Sequence, residues 1–168
     1  MDKWTFAQKA AFRFFVLFFG LLIFPFPFTI IPGIEGLFSF YTDFQKWQVN
    51  LVGYYVFGIE ESIISQQTGS GDHTFAWIWN FIALSLGITG MIIWSALDRS
   101  KENYRRFATW FHVLISYYLA FFLFIYGIIK LFYLQFSPPP LTRLFETYGQ
   151  SSPMRLMWTF MGYSETYV

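Results

Sequence analysis

Residues 75–97 read FAWIWNFIALSLGITGMIIWSAL; no charged side chain interrupts them, and Asn80 is the most polar member. A bilayer's hydrocarbon core is about 30 Å thick and a helix rises about 1.5 Å per residue, so about 20 apolar residues cross it. The stretch therefore reads as a membrane span. Two others meet the same test. Residues 10–31 are apolar apart from Arg13 near the start and Pro25 and Pro27 near the end. Residues 110–136 hold only His112 and Lys130 as ionisable groups, and they stop at Pro138, Pro139 and Pro140, which cannot continue a helix. The expected fold class is all-α transmembrane: a small helical bundle with three spans in one membrane domain over residues 1–168.

Composition agrees with that reading. Charged residues make up 12% of the 168 positions, against roughly 25% in globular domains. Aromatic residues make up 25%, with 24 phenylalanines, and so little charge could not cover so much apolar surface in water. A net charge of +1 gives no general attraction to nucleic acid. The absence of cysteine excludes disulfides, thiolate catalysis, iron–sulfur clusters and cysteine–zinc sites within this chain.

A secretory signal is the rival for the first span, because Lys3, Lys9 and Arg13 make a basic start. Phe-Pro-Phe and Ile-Ile-Pro-Gly follow the apolar run, with no small-x-small cleavage site, so a retained anchor is expected. Pro25 and Pro27 should kink or end its helix. Basic residues in the loops set orientation. Arg99, Lys101, Arg105 and Arg106 lie in 98–109, whereas 32–74 carries Lys46 alone among cations. The expectation is a multi-pass protein of a bacterial cytoplasmic (inner) membrane. Its N-terminus and residues 98–109 would lie inside, and 32–74 and 137–168 outside.

In the first outer segment Phe44, Trp47, Leu51, Tyr54 or Tyr55, and Gly58 recur at three- and four-residue steps. That period predicts an amphipathic helix, lying either on the membrane surface or packed as a loop helix without lipid contact. In the second, Ser151 or Ser152 can cap a helix that begins at Pro153 and stops at Gly162. Ser164 and Glu165 then look like the start of a further helix with three residues left to run. The expectation is a chain that continues into another span; a frayed natural terminus is the alternative.

The run Tyr148-Gly149-Gln150-Ser151-Ser152-Pro153-Met154-Arg155-Leu156-Met157-Trp158-Thr159-Phe160-Met161-Gly162 resembles a signature stretch of bacterial DoxX-like membrane proteins, in the longer version found in Bacteroidetes-type bacteria. Gly69-Ser70-Gly71-Asp72 with Thr74 and Phe75 is similar to that family's outer-loop element, and Lys130 followed by Leu134-Gln135-Phe136 also fits. Residues 1–60 match only in hydropathy. The resemblance implies a four-span bundle, the fourth span beginning about where this sequence stops. It also implies association with membrane redox chemistry, since the family takes its name from a subunit linked to a thiosulfate:quinone oxidoreductase. It assigns no catalytic residue.

Few groups are placed to carry chemistry. His112 near one end of its span and His73 at the other end of the bilayer do not form a haem ligand pair, so haem is disfavoured while quinone stays open. Lys130 lies ~9 Å below the outer boundary and Asn80 ~7.5 Å, so antiparallel neighbours would place them at like depth. Either Lys130 faces inward and meets Asn80, Glu60, Glu61 or Glu165, or it snorkels to the headgroups. Glu60 and Glu61 read as solvated charges rather than a metal site, because adjacent carboxylates on a helix diverge. Two functions follow. One is a non-catalytic or accessory subunit of a membrane redox or quinone-linked assembly, with lipids and other membrane subunits or itself as partners. The alternative is a small transporter or channel module, supported by Pro25, Pro27, Gly87, Gly90, Gly127 and the Lys130–Asn80 pair.

Overall fold

The computed structural model of the chain describes residues 3–65, 71–132 and 141–163. Those residues form helices and turns, with no strand among them. Five α-helices follow in order: α1 (Phe6–Ile23), α2 (Ser39–Phe57), α3 (Thr74–Leu97), α4 (Arg105–Leu131) and α5 (Pro153–Met161). α1, α3 and α4 are long and apolar enough to cross a membrane.

The central helix is α3. The His73 ring accepts the Ala76 N–H at 3.2 Å and so caps its first turn. Phe75, Ile78, Trp79, Ile82, Ala83 and Gly87 recur at helical spacing and form its buried face. Along this face α3 receives α1 as its main partner and α2 toward its N-terminal end. Gly87 and Gly90 set the close approach to α1: a Cβ on Gly87 would lie 3.2 Å from the Phe14 ring, and one on Gly90 2.7 Å from Leu17 Cδ1. These glycines therefore form a packing seam. Gly127 on α4 has open space around it.

The first span differs from expectation at both ends. It begins at Phe6 because Thr5 and Gln8 form a reciprocal capping box, and it stops at Ile23 rather than reaching residue 31. Pro25 and Pro27 supply no N–H to carry the ladder onward, and the chain passes into turns and a 3-10 turn at Phe28–Ile30. The third span begins at Arg105, not at residue 110. Arg105 and Arg106 extend it at its basic end, where long cationic side chains can lie along a helix and still reach the headgroup layer. At about 1.5 Å per residue its 27 residues measure about 40 Å, longer than the hydrocarbon core.

The helix expected in the first outer segment is α2, which ends where Gly58 adopts a left-handed φ of 67°. It buries Val49 and Gly53 against Ile63 and α3. Phe44, Trp47, Leu51 and Tyr54 lie on its other side, exposed. Asn50 fastens the loop beyond it: its side-chain oxygen accepts the Ile63 N–H at 2.8 Å, and its amide donates to the Ile63 carbonyl at 3.2 Å. Asn50→Leu removes both bonds and strands the loop amide. It is expected to lower stability by about 1–3 kcal/mol and to expose residues 58–65 to protease, read by limited proteolysis in detergent.

α5 starts as its sequence signals predict, with Pro153 in the first turn and the Ser152 hydroxyl accepting the Arg155 N–H at 3.2 Å. Ser164, Glu165 and the start of a further helix expected there lie outside the described residues.

Candidate functional site

The largest concentration of polar contacts lies at the basic end of the bundle, around a residue that sequence reading treated as a topology signal. Arg13 sits seven residues into α1, about two turns inside an apolar helix, and is 2% exposed. A guanidinium there must find internal partners. Its Nη1 donates to Ser95 Oγ on α3 at 2.9 Å, and its Nη2 to the Asp98 carbonyl at 2.7 Å. Nε and Nη2 both donate to the Tyr104 hydroxyl, at 3.1 and 2.8 Å. That hydroxyl in turn donates to Asp98 Oδ2 at 2.6 Å. One cation thus ties α1 to the end of α3 and the start of α4.

Aromatic rings close around this network. The Tyr104 ring stacks on Phe12 at 5.2 Å and meets Trp94 edge-on at 5.6 Å, and the Arg13 guanidinium lies 5.2 Å from its centroid. Outside it, Lys9 donates to the Lys101 carbonyl and Lys3 pairs with Glu102 at 2.7 Å. The hydrogen bond from Tyr104 holds the Asp98 carboxyl below its ordinary range, with Arg13 and Lys101 adding smaller attractions. Burial, followed by the hydrogen bond to Asp98, pushes the Tyr104 phenol up against the opposing pull of Arg13. Beside the cluster opens a cleft of about 540 Å³ lined by Asp98, Lys101, Arg105, Arg106 and Trp110 among others.

A second polar place lies at the other end of α3. The Asp72 carboxylate accepts the Met154 N–H at the start of α5, at 2.8 Å, across 82 residues of sequence. This brings the loop element at Gly71 and Asp72 against the Ser151-Ser152-Pro153-Met154 part of the long signature stretch; Gly69 and Ser70 lie outside the described residues. A cleft of about 350 Å³ between them is lined by Glu61, Asp72, His73, Gln150, Ser151 and Ser152. Within the stretch, Arg155 pairs with Glu146 at 3.3 Å, Tyr148 is exposed with Gly149 beside it, and Trp158 and Gly162 lie on the body of α5 and just past it.

The expected pairing of Lys130 with Asn80 is not formed. The Asn80 amide donates to the Ala76 carbonyl one turn back on its own helix, at 2.9 Å. Lys130 is exposed, with its ammonium 5.4 Å from the Tyr126 ring centroid. Glu60 and Glu61 are exposed in the loop after α2, and Glu165 lies outside the described residues. His73 caps α3, and His112 is exposed on α4.

Three long apolar helices in an all-helical, aromatic-rich bundle define a multi-pass membrane protein. Compared with protein-family models, curated proteins and solved structures, the chain matches none.

Proposed function

We propose that the chain is a non-catalytic, accessory subunit of a membrane redox or quinone-linked assembly, held in a bacterial inner membrane with its basic end in the cytoplasm. The resemblance to DoxX-like proteins supports the redox setting, and the loop charges support the orientation. The observation that carries the subunit reading is the state of α4. None of its described residues is buried, and Tyr117, Leu123 and Phe124 stand 71%, 71% and 67% exposed. Tyr117 lies twelve residues into the helix, about 18 Å from its start and so near mid-bilayer. A phenol facing hydrocarbon without a partner costs free energy that a hydrogen bond to a neighbouring helix recovers.

The chain has no cysteine, so single cysteines report cleanly. Cysteine placed at Tyr117 or Phe124 and treated with a bismaleimide in native membranes should give adducts with a second polypeptide, identified by mass spectrometry as a redox or quinone-binding subunit. Adducts only between copies of this chain, or none at either position, would show that the accessory role is wrong.

A further inference from the structure

The cleft at the basic end is lopsided in charge. Among the described residues, Lys101, Arg105 and Arg106 bring three cations to it, and Asp98 is its one lining acid. That carboxylate already accepts the Tyr104 hydroxyl and lies in the field of Arg13, while Glu102 on the same turn is drawn away to Lys3. Lys101 and Arg106 therefore face the cleft with little neutralisation from these two acids. Its aromatic wall is also distinctive: Phe107 and Trp110 are 43% and 66% exposed, in the first turns of a helix that continues on the Trp110 side with the apolar, open Val113.

A soluble anion would be served by cations alone. Cations continuous with an exposed apolar helix face suit a ligand that is anionic at one end and greasy at the other. An indole at their junction suits the glycerol level of a leaflet. We propose that this cleft binds the phosphate group of an anionic phospholipid. Lys101 and Arg106 hold the phosphate, Trp110 packs beside the glycerol region, and the acyl chains enter the leaflet beside Val113. The Arg13 network has a positioning role: it fixes the turn that carries Lys101 relative to the helix that carries Arg106.

The test uses the whole chain in mixed micelles holding equal phosphatidylglycerol and phosphatidylcholine, with retained lipid read by native mass spectrometry. Two cations near a surface predict about a 10-fold or greater preference for phosphatidylglycerol. Lys101→Gln combined with Arg106→Gln should bring the preference close to parity, whereas Lys101→Arg with Arg106→Lys should keep it. Lys46→Gln, at the other end of the molecule, should leave it unchanged. Parity in the parent, or an undiminished preference in the double glutamine variant, overturns the proposal. So does loss of the bound lipid to millimolar inorganic phosphate, which would mark a site for free anions. The parent's preference and its resistance to phosphate remain decisive even where the double variant does not fold.

Discussion

Arg13→Met should lower the stability of the bundle by about 3–5 kcal/mol, since four buried or half-buried hydrogen bonds from a charged donor are lost at about 1 kcal/mol or more each. The substitution keeps the length and apolar bulk of the side chain, so the loss reports hydrogen bonds more than volume. It leaves the Ser95 hydroxyl, the Asp98 carbonyl and the Tyr104 hydroxyl without the donor that joins them. Arg13→Lys should recover only part of the loss, because a single ammonium cannot span Ser95, Asp98 and Tyr104 as a planar guanidinium does. Denaturation in detergent, followed by circular dichroism, checks both variants; an unchanged midpoint in Arg13→Met would refute the assignment.

The same network fixes a pH dependence. The Asp98 carboxyl titrates below its unfolded value, chiefly through the bond from Tyr104, so its contribution is present above the unfolded value and is lost as pH falls through the lower folded one. The Tyr104 phenol is raised by burial, so its contribution is full below the unfolded phenol range and is lost as pH rises through the folded value. Stability should therefore hold a plateau between the two. Tyr104→Phe removes the donor to Asp98, so the acid-side loss of stability should shrink in that variant. Identical acid limbs in parent and variant would count against the bond.

Trp79→Ala should cost about 3 kcal/mol, the lower end of the range for removing a large aromatic side chain from a packed interior. Trp79 is 8% exposed and packs with Val49, Ile63, Phe75, Ile78 and Ile82, with the Tyr41 ring edge-on at 6.4 Å. Within a bilayer the surroundings are as apolar as the core, so transfer from water contributes little and the loss comes from contacts left unmade around the cavity. Trp77, two positions earlier and 67% exposed, is the control: Trp77→Ala should shift stability by no more than about 0.5 kcal/mol. Detergent melts of the two variants decide the point, since equal shifts would mean that α2 and α3 do not pack through this face.

The long helices were legible because a span is a one-dimensional property: apolar length against bilayer thickness. The start of α5 was legible for a similar reason, since Ser152 and Pro153 act on their own neighbours. Of the two readings left open for Lys130, the contact with Asn80 is not made, and the reason is rotation. Counting residues gives depth along a helix, but Asn80 follows buried Trp79 by one position, about 100° around the axis, and leaves the packed face. α4 also leans on α1 rather than on the Asn80 side of α3. Arg13 was visible as an arginine inside an apolar run, which by itself demands a partner. The partner was not, because Ser95, Asp98 and Tyr104 lie 82 to 91 residues away and only the folded bundle brings them together.

That separation has a consequence for biogenesis. Tyr104 is synthesised 91 residues after Arg13, so the phenol that accepts two of its bonds does not yet exist when α1 is made. Until then the guanidinium must be accommodated by headgroups, by water or by the insertion machinery. The docking of α1 onto α3 therefore cannot be completed before the turn that precedes α4 has been synthesised.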